Sequence, residues 1–254
     1  MTDMHGRTAL VTGAGNGLGR VLAQQFADCG AAVVIADIDA DAGEATANAI
    51  RENGGKALFI HADVALEETS RELVAAALST YGRLDFAINN AAIEGEVLPL
   101  AEQTAEQFNR VIAIDLAGVF FGLKHQLPAI VNSGGGAIVN VASIAGLRGH
   151  PGLAPYVAAK HGVVGLTRVA AIEYGAQGVR VNALCPGGIR TPQLERYLDA
   201  APALRASLID GNPLRRFGEP EEMAKAAFWL CSDAASYING HALVVDGGKI
   251  ISDA

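Results

Sequence analysis

The chain has 254 residues, half of them hydrophobic, and a formal net charge of −8. That length fits one large α/β domain or two small ones, with enough apolar content for a sizeable core. The acidic balance argues against a nucleic-acid groove or an anionic membrane surface, and no apolar run approaches the roughly 18 residues a membrane span needs.

Short β-branched runs alternate with longer Ala-rich stretches, the pattern of a parallel sheet with helices on both faces. The first strand is "TALVT" (8–12), followed by a glycine-rich turn and a helix over most of 17–30. "AVVIAD" (32–37) precedes a helix at 40–53, and "ALFIHAD" (57–63) precedes one at 67–81. "LDFAINN" (84–90) leads to a helix at 104–131, and "GAIVNVAS" (136–143) to one at 155–175. "VRVNALC" (179–185), a helix at 219–231 and "HALVVDGG" (241–248) complete the set. The apolar continuity of these strands predicts burial on both faces. From residue 189 to 218 the alternation stops, in a stretch holding "RTP", "AAPAL" and "GNPL". Long insertions of this kind are usually functional or disordered. Leu194, Tyr197, Leu198, Leu204, Leu208 and Ile209 make a helical lid the expectation. No repeat or low-complexity linker divides the chain, so a single domain is expected. The start "MTDMHGRTALV" lacks a basic stretch followed by a long apolar one, so no signal peptide is expected. Cys29, Cys185 and Cys231 are odd in number and far apart, which suits a reducing cytoplasm. The histidines show no metal-ligand spacing, and no metal is expected.

"VTGAGNGLG" lies between the first strand and the first helix. It does not fit G-x-G-x-x-G, because positions 18 and 20 are Leu and Arg; it fits T-G-x-x-x-G-x-G through Thr12, Gly13, Gly17 and Gly19. Glycines there let the backbone turn sharply and approach a pyrophosphate, while the helix N-terminus offers N–H donors and partial positive charge. Asp37 ends the second strand, 18 residues after Gly19. A carboxylate at that place accepts both adenosine ribose hydroxyls and repels the 2′-phosphate of NADP. Neither Asn16 nor Ile38 brings a compensating cation, so NAD is the expected cofactor. Asp63, with Val64 as an apolar wall, is a weaker candidate for the adenine edge. "PYVAAK" (155–160) opens a helix, with Pro155 in the first turn and Tyr156 and Lys160 four residues apart on one face. By itself that pair reads as a packed tyrosine beside a solvated lysine. It also reads as a phenol made labile by a neighbouring ammonium.

Taken together, "TGAGNGLG" (12–19), Asp37, "NNAA" (89–92), Ser143 with "YVAAK" (156–160), and "PGGIRT" (186–191) resemble the short-chain dehydrogenase/reductase family in order and spacing. The resemblance runs from residue 6 to residue 249. It implies a Rossmann-type, doubly wound α/β fold with a seven-stranded parallel sheet in one domain. Gly13, Asn16, Gly17, Leu18 and Gly19 would form the cofactor turn, with Asp37 and Ile38 at the adenosine ribose. Asn89 and Ala91 would lie beside that ribose, Pro186 and Gly187 would shape a wall, and Ile189 and Thr191 would hold the nicotinamide carboxamide. Ala92 stands where the family has glycine, a change expected to be tolerated.

The same resemblance implies a mechanism in which Tyr156 takes the alcohol proton as hydride leaves, or gives it back to an alkoxide. Lys160 and the positive nicotinamide ring would both lower the phenol pKa from its usual value near 10. Ser143 would hydrogen-bond the reacting oxygen, and Lys160 would also grip the nicotinamide ribose. Ser143 also reads as a polar residue finishing a strand. Asp115, in "IDLAGVF", occupies a place where the family often has Asn. It reads either as part of the catalytic relay or as a buried kink residue whose backbone carbonyl matters more than its side chain. An aspartate buried there is expected to accept from backbone N–H groups or to sit near a cation.

The expected activity is reversible oxidation of a secondary alcohol by NAD. The alternatives are an NADPH ketoreductase and a nucleotide-binding sensor without catalysis. Ile93, Glu94, Ala145, Leu147, His150, Gly188, Leu194 and Tyr197 would wall the substrate pocket. Their mainly apolar mix points to a cyclic or hydrophobic alcohol, and His150 reads either as a contact to a polar substituent or as a cap on its own turn. A homotetramer is expected from the resemblance and from apolar segments such as "AAFWL" (226–230).

Overall fold

The structure is a computed structural model; it describes residues 3–199 and 202–252, the side chains at 192, 193, 196, 197 and 202–204 excepted. β1 (Thr8–Thr12) leads into α1 (Gly17–Asp28), β2 (Ala32–Asp37) into α2 (Ala40–Glu52), and β3 (Lys56–His61) into α3 (Glu67–Tyr81). β4 (Phe86–Asn89) is followed by a long loop and α4 (Ala105–Val111), and a π-helical turn (Ile112–Ala117) joins α4 to α5 (Gly118–Asn132). Next come β5 (Gly136–Val141), α6 (Ala154–Tyr174) and β6 (Val179–Pro186). Two short helices, α7 (Pro192–Asp199) and α8 (Pro202–Asp210), precede α9 (Pro220–Cys231) and β7 (Ala242–Val245).

Local chemistry fixes the helix ends. The Asp39 side chain accepts from the Ala42 N–H at 3.0 Å to start α2, and Thr104 with Gln107 forms a reciprocal capping box on α4. α3 stops where Gly82 takes a left-handed conformation.

The strands form one parallel sheet in the order β3-β2-β1-β4-β5-β6-β7. Chain direction across the sheet reverses between β1 and β4, so their carboxyl ends open a crevice where this architecture binds ligands. Side chains alternate between two cores. Ala9, Val11, Val33 and Ile35 face Leu22 and Phe26 of α1 and Phe228 of α9. Leu10, Val34 and Ala36 face Leu73 of α3, Leu127 of α5 and Val163 of α6. Phe26 anchors the first core, with ring centroids 5.6 Å from Phe86 and 5.3 Å from Phe228.

Asp85, just before β4, is fully buried. It accepts from Arg83 at 2.6 and 2.7 Å, from Arg7 at 2.7 Å and from the Thr8 N–H at 2.9 Å, which ties β4 to the start of β1. Burial pushes its pKa up, but the hydrogen bonds from Arg83, Arg7 and Thr8 outweigh that and hold the carboxyl below its usual range.

The doubly wound fold is the one the sequence predicts, with several shorter elements. The strand expected at 84–90 covers 86–89, because Asp85 is spent on the arginines and Asn90 turns back to β1. The helix expected at 104–131 is interrupted by the π turn. The last strand ends at Val245, where Asp246 accepts from the N–H groups of Gly248 and Ile250 and turns the chain.

Candidate active site

The glycine turn sits over the crevice. Gly13 has φ +63°, and a β-carbon there would lie 2.9 Å from the Ala91 Cα. At Gly19 a β-carbon would come within 2.0 Å of the Gly13 carbonyl oxygen, so no larger residue fits. The turn is pinned to the end of β4: Thr12 Oγ1 accepts from the N–H groups of Asn90 (3.0 Å) and Ala91 (3.1 Å). Asn90 Nδ2 in return donates to the carbonyls of Thr12 and Gly13 at 2.9 and 3.1 Å. Asn16 is exposed at the head of α1, whereas the Leu18 side chain is buried in the core and leaves only its backbone toward the turn.

Asp37 reaches back under this turn. Its carboxylate accepts from the Gly15 N–H at 2.7 Å and from the Asp39 N–H at 2.9 Å. Ile38 beside it is largely exposed. Asp63 Oδ1 accepts from the Ala65 N–H at 3.0 Å, capping its own turn, and Val64 packs against α5, where a β-carbon on Gly118 would lie 3.1 Å from it. On the far side, Gly187 donates to the Val245 carbonyl at 3.1 Å and continues from the buried Pro186. Ile189 pairs with Gly218 across the two ends of the 189–218 insertion. Thr191 Oγ1 accepts from the Leu194 N–H at 3.2 Å, and a β-carbon on Gly17 would lie 3.6 Å from Thr191 Cγ2. The insertion therefore begins against the glycine turn. A cradle that added β-carbons would fill, a carboxylate at its adenosine end and helix α1 pointing its N-terminus at it fit a dinucleotide.

Asn89 ends β4 at the crevice, as expected. Its side chain is buried: Nδ2 donates to Asn140 at 2.8 Å and to Gln126 at 3.0 Å, and Oδ1 accepts from Gln126 Nε2 at 2.8 Å. Its side-chain amide therefore braces the sheet, while Asn90 holds the glycine turn.

The reacting centre forms where β5, α6 and the π turn meet. Ser143 follows β5 and accepts from the Ala145 N–H at 3.1 Å, starting a short 3₁₀ turn (Ile144–Gly146). That turn packs so close to α6 that a β-carbon on Gly146 would sit 2.7 Å from the Lys160 carbonyl oxygen. Tyr156 and Lys160 share one face of α6, with Lys160 Nζ 5.3 Å from the tyrosine ring centroid. Lys160 is almost fully buried and donates to the Val141 carbonyl at 3.1 Å. Asp115, on the π turn, accepts from the Ile93 N–H at 2.8 Å through Oδ1 and places Oδ2 3.3 Å from Lys160 Nζ.

A family model described as enoyl-(acyl carrier protein) reductase matches residues 13–249. The chain is 48% identical over 249 residues to 2,5-dichloro-2,5-cyclohexadiene-1,4-diol dehydrogenase of Sphingobium indicum, covering 98% of each chain. It is 43% identical to cyclohexanol dehydrogenase of an Acinetobacter strain, covering 95% of this chain and 94% of that one. A solved structure from Agrobacterium tumefaciens with bound NADP superposes with a TM-score of 0.89 at 34% identity, covering 98% of both chains. The chain belongs to the short-chain dehydrogenase/reductase family.

As a member of that family it is an oxidoreductase of alcohol or ketone groups with a nicotinamide cofactor. The electrostatics of its centre depart from the simple picture of a lysine-acidified phenol. Burial pushes the Tyr156 pKa up, the charges of Asp115 and then Glu94 push it further, and a hydrogen bond from Ser143 opposes them. The Lys160 ammonium beside the phenol is itself paired with Asp115 Oδ2 at 3.3 Å, so a carboxylate offsets its charge. Burial also pushes the carboxyl of Asp115 above its usual range, with Lys160 and then the Ile93 N–H pulling it back. Cys185, beside Ser143, is pushed up to about 11 by burial and stays a thiol. Of the expected pocket walls, Ile93, Leu147 and Leu194 are half-buried, Ala145 is buried, and Glu94, His150 and Gly188 are exposed. His150 Nδ1 lies 3.4 Å from the carbonyl of its own neighbour Pro151, the turn-capping alternative. Tyr197 lies outside the described side chains. Among the described residues no cluster of three His, Cys, Asp or Glu side chains has a metal-sized arrangement, and no helix is long and apolar enough to cross a membrane.

Proposed function

We propose that the protein is an NAD-dependent dehydrogenase of alicyclic secondary alcohols, working reversibly on the matching ketones. The observation that carries this reading is the meeting of Ser143, Tyr156 and Lys160 at the carboxyl end of β5, in a chain whose relatives are named for cyclohexanol and for a cyclohexadienediol. A bound nicotinamide cofactor accepts or supplies the hydride. Tyr156 removes the alcohol proton in oxidation and protonates the alkoxide oxygen in reduction, while the Ser143 hydroxyl holds that oxygen in place. Lys160 has three N–H donors. One goes to Val141, and the ammonium is paired by charge with Asp115, which leaves N–H donors for a ribose hydroxyl.

NAD is favoured over NADP by Asp37 and its acidic neighbours Asp39 and Asp41, which repel a 2′-phosphate without a nearby arginine or lysine in that stretch of sequence. The remaining turn, wall and carboxamide residues (Gly13, Asn16, Gly17, Leu18, Gly19, Ile38, Asp63, Val64, Asn89, Ala91, Pro186, Gly187, Ile189 and Thr191) are assigned to the cofactor by the family's pattern. The helical insertion α7–α8 serves as a lid: it starts against the glycine turn and ends where Asn212 Nδ2 donates to the Asp246 carbonyl at 2.8 Å. A cytoplasmic homotetramer completes the reading.

Initial rates with cyclohexanol, a cyclohexane-1,4-diol and a sugar acid, each with NAD and with NADP, test the proposal. The expected result is oxidation of the ring alcohols with kcat/KM for NAD above that for NADP by about tenfold or more, a difference of about 1.4 kcal/mol. Preference for NADP would favour the ketoreductase alternative, and turnover of the sugar acid alone would contradict the substrate class.

A further inference from the structure

We propose that Asp115 is a positioning residue that locks Lys160 in a buried ion pair and so sets the pH at which Tyr156 can accept a proton. This rests on the oxidoreductase reading above and assigns the control of its acid–base step.

The geometry comes from the backbone. The π turn at Ile112–Ala117 opens the helical ladder and delivers the side chain of Asp115 into the interior, where it is fully buried. One oxygen is satisfied by the Ile93 N–H at 2.8 Å. The other faces Lys160 Nζ at 3.3 Å and has no aligned hydrogen bond. That oxygen is therefore held by charge, and a buried ammonium is what holds it. Lys160 in turn lies 5.3 Å from the Tyr156 ring centroid, so whatever neutralises the lysine is felt by the phenol.

An ammonium this close to a phenol favours the phenolate; a carboxylate disfavours it. With an amide at position 115 the lysine charge would act on Tyr156 unopposed. With aspartate the pair is nearly neutral, and the carboxylate adds its own repulsion. The other groups facing Tyr156 do not cancel this. Glu94, from the loop after β4, is also acidic and acts in the same direction, but it is exposed, where solvent and salt screen it. His150, before α6, faces Glu94. Cys185, at the end of β6, stays a neutral thiol, and Ser143 contributes only a hydroxyl. The consequence is an enzyme whose tyrosine keeps its proton at neutral pH, suited to protonating an alkoxide, and whose alcohol oxidation needs more alkaline solution.

Asp115→Asn separates this role from a structural one. Asparagine can still accept from the Ile93 N–H, but it carries no charge. The pH profile of kcat/KM for cyclohexanol oxidation should keep its shape while its acid limb moves down by about one pH unit or more, the effect of removing one nearby like charge. The plateau kcat should stay within about tenfold of wild type. In the cofactor-free protein, phenolate absorbance assigned to Tyr156 by difference from Tyr156→Phe should move down by a similar amount. Lower stability with an unmoved acid limb and an unmoved tyrosine titration would overturn the proposal. Should the asparagine variant not fold, Asp115→Glu keeps the charge and should keep the wild-type profile, and a downward shift in it would overturn the proposal as well. The tyrosine titration needs no turnover, so it stands even if the ring-alcohol substrate class proves wrong.

Discussion

At the scale of single residues, two asparagines separate what a motif conveys from what packing decides. "NNAA" marks a strand end at the crevice, but pattern alone does not say which amide turns inward. Strand alternation sends Asn89 into the sheet interior, to Asn140 and Gln126, and leaves Asn90 to clasp the glycine turn. Tyr156 and Lys160 were legible because helical spacing fixes them on one face. The partner of Lys160 was legible only as a need: a buried aspartate wants a donor or a cation, and only the fold says that the cation is Lys160. Asp37 supports a prediction at this scale. Asp37→Ala deletes an acceptor for two ribose hydroxyls and removes one repulsion toward a 2′-phosphate. Charged hydrogen bonds are worth about 1.5–3 kcal/mol each, so the KM for NAD should rise by at least about tenfold while that for NADP falls or holds. Steady-state constants for both cofactors check this, and an unchanged ratio would assign the preference to another residue.

Among the elements, strands and helices were readable from periodicity because the sheet is buried on both faces and its helices are long. The π turn was not readable as such. Apart from Gly118 nothing in "VIAIDLAGVF" weakens a helical pattern, and only the fold shows the π turn carrying Asp115 to a partner outside its own helix. The insertion at 189–218 was readable as helical from its apolar residues, but not as two helices. Asp85 carries a stability prediction for β1 and β4. Its folded pKa is depressed, so its contribution is complete above its unfolded value near pH 4 and is lost as pH falls through the lower folded value. Asp85→Asn leaves Arg7, Arg83 and the Thr8 N–H with a weaker acceptor. It should cost about 2–3 kcal/mol at pH 7, given that both arginines are partly exposed and can be rehydrated. Its melting temperature should also fall less steeply than the wild type's below about pH 4. Equal acid slopes for the two proteins would show that another carboxylate dominates acid unfolding.

For the whole molecule, several large apolar side chains remain at the surface. Phe108 on α4, Phe120 on α5, Val169 and Ile172 on α6 and Trp229 on α9 are all substantially exposed, and β7 is an open sheet edge. The proposed homotetramer would cover such faces in symmetric pairs. Light scattering at micromolar concentration should return a mass near four times that of the 26.2 kDa chain, and a single-chain mass would contradict the assembly. The central claim is that this molecule moves a proton through Tyr156 while it moves hydride. Tyr156→Phe tests it most directly, read by kcat for ring-alcohol oxidation alongside NADH binding by fluorescence. Phenylalanine keeps the ring and loses the proton, so the variant should bind NADH as the wild type does and lose about 10² to 10⁴ in kcat. A variant that binds NADH normally and keeps more than about a tenth of the wild-type kcat would contradict the account.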